Sequence, residues 1–281
     1  MSHSTLRVLT LNCWNVSEPF AERMPLIRAG IERLRPDVIG LQEIVVRRDG
    51  FDQGARILEG LRYHRVFGAG FRWSDSGALL PHDHDGDGFG NLIASRWAVL
   101  GSEVRPLPGA DSGERRSVIA ALIDTPHGLL PFATTHFNWK FHHGHIREQQ
   151  AVALAEFVRD WTRDAGAAVV LPPIVVGDLN AEPDSTEVRF LCGLNAIDGH
   201  STYFQDAWRV AGDGSPGFTW DNRNRFAAYM FEPNRRIDYI LVGLADGNGR
   251  GWIESTRVVM NDAQGDVFPS DHFGLLADVR V

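Results

Sequence analysis

Short apolar, β-branched-rich runs recur along the chain, and each ends in a polar residue that the middle of a strand would not favour. Leu6 to Leu11 ends in Asn12, Val38 to Leu41 ends in Gln42-Glu43, and Leu129 to Thr135 ends in His136. Ile174 to Val176 runs into Gly177-Asp178-Leu179-Asn180. Arg236 to Val242 carries Asp238 in the middle of an otherwise apolar strand, and Ser270-Asp271-His272 immediately precedes the last run, Phe273 to Val279. Further strands are predicted at Arg62 to Gly70, Gly90 to Ser95, Val99 to Arg105, Ser117 to Asp124 and Trp252 to Met260. Helical spacing shows in two places. Phe20 to Leu34 puts Met24, Ile27, Ile31 and Leu34 on one stripe before Arg35-Pro36 ends it. From about Gly144 to Arg163, Ile146, Leu154, Phe157, Val158 and Trp161 form a second stripe.

The first helix lies between two strands, which predicts a β-α-β unit with Asn12 and Glu43 at the same end of adjacent parallel strands. Elsewhere strands outnumber helices, and two packed sheets with helices outside are expected. No internal repeat or low-complexity linker divides the chain, so residues 1–281 are read as one domain.

Composition then excludes several function classes. With 43% hydrophobic and 23% charged residues the chain is an ordinary globule. Its net charge of −8 argues against a sequence-independent nucleic-acid binder, which needs a basic face. Lys140 is the only lysine, so Schiff-base or P-loop chemistry would have to rest on that one residue. Cys13 and Cys192 each sit beside an apolar run and are expected as buried thiols, not as a bridge. The amino terminus lacks a secretory pattern, and no apolar run approaches the roughly 20 residues that span a bilayer. A cytoplasmic, soluble monomer is expected.

Strand ends that present Asn12, Glu43, His136, Asp178, Asn180, Asp238, Asp271 and His272 would gather three or four carboxylates, two amides and two imidazoles in one crevice. Carboxylates that close cannot all stay ionised unless a cation neutralises them. Oxygen ligands without paired thiolates point to Mg²⁺ or Mn²⁺ over a structural zinc. The chemistry that suits such a site is metal-assisted attack of water on a phosphate ester. Each residue also has a plain structural reading. Asn12 could cap a turn, Glu43 could end a strand in solvent, and Asp178-Leu179-Asn180 could be an Asx-turn. His136 and His272 taken singly are ordinary histidines, whereas a lone Asp238 in an apolar strand needs a partner.

The set Leu11-Asn12, Leu41-Gln42-Glu43, Thr135-His136, Gly177-Asp178-Leu179-Asn180, Arg236-Ile237-Asp238-Tyr239 and Ser270-Asp271-His272 resembles the endonuclease/exonuclease/phosphatase superfamily, with the motifs in that family's order. The resemblance implies an α/β fold, a four-layer α/β sandwich of two packed mixed β-sheets flanked by helices, and a divalent-metal-dependent hydrolase of phosphoester bonds. It implies Glu43 as principal metal ligand, with Asn12 and Asp271 nearby in the metal shell. Asp178 would orient or deprotonate the attacking water, and Asn180 would hydrogen-bond the phosphate or that water. His272 would donate to a phosphate oxygen, Asp238 would hold its tautomer, and His136 would be a phosphate donor or general acid.

Three features are left with two readings. Asp83-His84-Asp85-Gly86-Asp87-Gly88 matches the first half of a calcium loop, but Ala94 stands where the bidentate carboxylate belongs, so an acidic rim loop is preferred over a Ca²⁺ site at Asp83, Asp85 and Asp87. Arg147 and Gln150 are expected to help build the site's wall. Phe137, Trp139 and Phe141 are either a stacking platform or a packed corner.

The substrate stays open. Ile44-Val45 after Glu43 weighs against an apurinic endonuclease, and Asn12-Cys13-Trp14 is similar to neutral sphingomyelinases. His136-Phe137-Asn138-Trp139 is similar to the deadenylases. A phosphodiesterase or phosphatase acting on a small or lipid-like phosphoester is preferred. A nuclease for single-stranded or damaged nucleic acid is the alternative, and an inactive binding module is the third. The loops from Asp75 to Gly88 and Gly212 to Asn234 are expected to set specificity.

Overall fold

The computed structural model describes residues 4–73, 79–80, 88–166 and 168–281. In chain order the elements are β1 (Thr5–Asn12), α1 (Phe20–Leu34), β2 (Val38–Val46), α2 (Gln53–Ile57), β3 (His64–Trp73), β4 (Leu79–Leu80), β5 (Gly88–Ser95), β6 (Val99–Pro106), β7 (Ser117–Thr125) and β8 (Gly128–His136). There follow α3 (Gly144–Asp164), β9 (Ile174–Asp178), α4 (Thr186–Leu191), β10 (Gln205–Asp206), α5 (Ala207–Ala211), α6 (Arg225–Ala228), β11 (Asp238–Val242), β12 (Ile253–Val259) and β13 (Gly274–Arg280). One sheet has the order β12-β13-β1-β2-β5-β3 with β4 added at its edge, and the other the order β10-β11-β9-β8-β7-β6.

Alternation along the strands decides the layers. Leu6 and Val8 of β1 pack with Ile174 and Val176 of β9 and Phe132 of β8, so these residues fill the space between the sheets. Their neighbours Leu9 and Leu11 point the other way, onto Met24, Ile27 and Ile31 of α1. Val175 of β9 likewise faces outward and packs with Leu154, Phe157 and Val158 of α3. Helix, sheet, sheet, helix is therefore the layering, as expected, and each such buried side chain contributes roughly 1.5–3 kcal/mol. Gly40 of β2 is needed for the close approach of the sheets, because a Cβ there would lie 2.2 Å from Val176 Cγ2.

Chain direction places the polar strand ends. The pairs β1·β2 and β8·β9 are parallel, so Asn12, Gln42, His136 and Asp178 finish at one edge. Strands β11 and β13 run antiparallel to β9 and β1, so Asp238 and the Asp271-His272 step begin where the others end. Two sequence expectations are corrected here. Asp238 starts β11 and does not sit in mid-strand, because Arg235 pairs with Trp220 and the Ile237 and Asp238 amides both donate to Thr219 Oγ1 at 3.2 Å. Strand β2 does not stop at Leu41 but continues to Val46 through a bulge after Leu41. The short elements α2, α4, α5, α6 and β10 span too few residues to show a period. Asp83, Asp85 and Asp87 lie outside the described residues. No helix among the described residues is long and apolar enough to cross a membrane.

Candidate active site

His136, Asp178 and Asp238 form one row across β8, β9 and β11, each directly opposite the next in register. Gly177 lets β9 approach this closely: at φ 153° a Cβ would fall 2.1 Å from the Thr135 carbonyl oxygen. His272 joins the row from the turn before β13. Its Nδ1 lies 2.9 Å from Asp238 Oδ2, and its Nε2 lies 3.7 Å from Asp178 Oδ2. His136 Nε2 approaches the same Asp178 oxygen at 3.4 Å. Asp178 Oδ1 accepts from the Asn180 amide at 2.9 Å, which fixes the carboxylate plane. Trp220 stands edge-on to the His272 ring at 5.0 Å.

The first sheet supplies the rest. Asn12 Nδ2 donates to Asp178 Oδ2 at 3.0 Å and to Glu43 Oε1 at 3.3 Å, bridging the two sheets. Its Oδ1 accepts from the Trp14 amide at 3.0 Å. Glu43 sits at the β2 bulge with φ 58°, and Asn15 Nδ2 donates to its Oε2 at 2.7 Å. Asp271 Oδ1 accepts from Ser270 Oγ at 3.1 Å, and Asn224 Nδ2 donates to the carbonyls of Ser270 and Asp271. Trp14, Asn15, Glu43 and Asn180 all line the crevice with φ between 38° and 58°. Non-glycine residues whose backbone is held in that sparsely populated region persist there only where surrounding contacts enforce it, and they concentrate at functional sites.

All eight residues expected from sequence converge here. Six of them line the crevice of about 390 Å³; Asn12 and Asp238 stand behind its wall. Arg147 and Gln150 act from behind: Arg147 pairs with Glu187 at 2.6 Å and donates to the Asn138 and Lys140 carbonyls, while Gln150 accepts from the Asn138 amide. Phe137 is buried in the core, whereas Trp139 lines the crevice, and Phe141 is exposed against Arg235. Asn15, Thr219, Asn224, Arg116 and Arg235 were missed from sequence. Of these only Asn15, three residues after Asn12, carried any local signal. Arg23 was missed too; it is fully buried and donates to the carbonyls of Cys13, Trp14, Asn15, Ser17 and Pro269, tying the Asn12 loop to the segment before Asp271.

Burial shapes the charges. It raises Asp178 to about 6, with His272 lowering and Asp238 raising it, and it raises Asp271 to about 7, with Glu43 adding to the rise. Burial alone would lower His272, but the facing Asp238 and Asp178 carry it up to about 10. Burial, then the charges of Arg116 and His272, hold His136 well below the usual histidine range. Among the described residues, Asp178, Asp238 and His272 offer ligand atoms within 4.8 Å of one another and could hold a metal ion.

Comparison with known proteins bears on the family and the fold. The sequence model of the Endonuclease/Exonuclease/phosphatase family matches residues 9–272. No curated protein sequence matches the chain. Among solved structures, the human Nocturnin catalytic domain with bound sulfate is similar, at 22% identity and TM-score 0.70 over 98% of this chain and 93% of that one. TDP2 of D. rerio, complexed with a single-strand DNA product, is 20% identical with TM-score 0.73 over 99% and 100%. An endonuclease/exonuclease/phosphatase from Bacteroides vulgatus is 18% identical with TM-score 0.70 over 99% of each chain. At these identities the likeness is one of fold.

Proposed function

Because the chain belongs to the endonuclease/exonuclease/phosphatase family, we propose that its crevice hydrolyses a phosphoester bond with the help of a divalent cation. The observation that carries this reading is the meeting in one crevice of Glu43, Asp271 and His272 from strand ends of one sheet with His136 and Asp178 from the other, Asp238 standing behind them against His272. A half-buried Glu43 beside a buried Asp271, whose pKa is raised partly by the charge of Glu43, is a donor set for a hard cation such as Mg²⁺ or Mn²⁺. Glu43 and Asp271 would hold it, with Asn12 Oδ1 within the same shell. The group of Asp178, Asp238 and His272 is the weaker alternative, since His272 Nδ1 and Asp238 Oδ2 already satisfy each other. When bound, the cation would neutralise the acidic pair and polarise a phosphate oxygen.

The chain's own residues then divide the work. Asp178, at about 6, is ionised at neutral pH yet basic enough to take a proton from water, and Asn12 and the Asn180 amide hold it in place. Asn180 spends one amide hydrogen on the Phe137 carbonyl and keeps its other polar atoms for water or phosphate. His272 stays cationic through neutral pH, with Asp238 accepting at Nδ1, so Nε2–H is the donor for charge that builds on phosphate. His136 is neutral, which suits a phosphate N–H donor and not a general acid. Hydrolysis of bis-p-nitrophenyl phosphate is expected with Mg²⁺ and not with EDTA. Asp178→Ala and His272→Ala should each lower it by about 10³-fold with an unchanged circular dichroism spectrum. Retained activity in both variants refutes the assignment.

A second reading, action on single-stranded nucleic acid, is supported by the mouth of the crevice. Trp139 and Tyr229 line it in part, Phe231 is 93% exposed, and Arg223 and Arg225 lie on the same Gly212 to Asn234 loop. Salt-sensitive oligonucleotide binding by fluorescence titration supports it, and none near physiological salt retires it.

A further inference from the structure

Arg116 and Arg235 line the same crevice and are about nine-tenths buried or more, at 8% and 5% exposure. Among the described residues each has one carboxylate partner. Arg116 Nη2 donates to Glu114 Oε2 at 3.2 Å, and Arg235 Nη2 donates to Glu232. Trp139 Nε1 donates to the other Glu114 oxygen at 3.0 Å, and Arg235 lies over the Phe141 ring at 4.5 Å, so both guanidinium planes are held. What remains is unusual. Nε and Nη1 of Arg116 and Nε of Arg235 are shielded from solvent and have no hydrogen-bond partner among the described residues. A buried donor left without an acceptor costs about 1–3 kcal/mol, so three such donor nitrogens in residues that line one crevice call for an acceptor that the described residues do not supply.

We propose that this wall is a subsite for a second anionic group of the substrate, a phosphate or carboxylate carried on the part of the molecule away from the scissile ester. The identity of the scissile ester rests on the hydrolase reading above; the subsite does not. Guanidinium forks match such oxygens in plane and spacing. Because Glu114 and Glu232 cancel the two charges, recognition works at short range through directed N–H groups and not through a long-range field. Trp14, Trp139, Trp220 and Phe226 form apolar walls of the same crevice. The substrate class is thus a phosphoester of a flat organic group with a second anion, which a neutral or zwitterionic lipid headgroup does not satisfy.

The probes are adenosine 3′,5′-bisphosphate and adenosine 5′-monophosphate, titrated calorimetrically in EDTA so that neither turnover nor the cation enters. The wild-type protein should bind the bisphosphate at least about tenfold more tightly. That preference should vanish in Arg116→Gln combined with Glu114→Gln, which removes the pair without stranding a carboxylate, and in Arg235→Lys, which keeps the charge but loses the fork. Equal affinity for the two nucleotides in the wild type overturns the proposal whatever the variants do. So does an unchanged preference in both variants. If phosphoester turnover with Mg²⁺ is absent while the preference is present, the hydrolase reading fails and the subsite stands; the reverse pattern separates them the other way.

Discussion

Replacing Asp271 by Asn should stabilise the metal-free protein while removing its function. The carboxylate is buried, and burial, then the charge of Glu43, raises it from 3.8 to about 7 in the folded chain. Its folded-state pKa lies above the unfolded value, so the folded chain binds the extra proton between those two limits. Stability is therefore lost as pH rises from about 4 and the loss is complete above about 7. Each tenfold change in proton affinity is about 1.4 kcal/mol, so keeping Asp271 ionised at about pH 8 costs the fold on the order of 4 kcal/mol. Asn keeps the acceptor for Ser270 Oγ and carries no charge. Thermal unfolding in EDTA should give the variant a midpoint higher by on the order of 8 °C at about pH 8, and by almost nothing at about pH 4. Mg²⁺ should raise the wild-type midpoint and leave that of the variant alone. A variant no more stable than wild type at the higher pH, or a gap that does not widen with pH, refutes the picture of an acidic pair waiting for a cation.

Three further outcomes are expected. Glu43→Gln should raise the Mg²⁺ concentration for half-maximal hydrolysis by roughly 10–100-fold, and an unchanged metal titration counts against Glu43 as a ligand. Asp238→Asn keeps an acceptor oxygen near His272 Nδ1 but removes the negative charge that does most to hold that imidazolium protonated; kcat should fall by about 10²-fold and the alkaline limb of the rate profile should move to lower pH. A limb that stays in place shows that His272 is not the titrating donor. Gly177→Ala drives a Cβ to 2.1 Å from the Thr135 carbonyl and should cost about 2–3 kcal/mol in urea unfolding, with no loss meaning that β8 and β9 separate at no expense.

How much was legible follows from which interactions are local. A polar residue closing an apolar run is visible in one dimension, and Asn12, His136, Asp178 and Asn180 were found that way. Asp238 was found for nearly the right reason: a carboxylate among Ile, Tyr, Leu and Val needs a partner, and His272 is that partner. Its place at the start of β11 was not visible, because Thr219, 19 residues earlier, captures the two amides that a longer strand would have used. The Glu43 bulge was also hidden. Its positive φ depends on register with β5 and on the grip of Asn15, and neither leaves a mark on Val38 to Val46 read alone.

By itself the sequence determined the alternation of the strands, the parallel pair around the first helix and the chemical types at the strand ends, since those follow from side-chain periodicity and solvation of neighbouring residues. Tertiary structure alone decided the rest. Asn12 meets Asp178 across 166 positions, Ser270 holds the Asn12 carbonyl across 258, and Arg23 reaches Pro269 across 246. Burial of those partners together is what lifts Asp178 to about 6 and Asp271 to about 7, and only a folded interior, poor in water, can do so. Arg116 and Arg235 show the same division: two ordinary arginines in the chain become neighbours on one crevice wall, with donors unpartnered among the described residues, only in the folded protein.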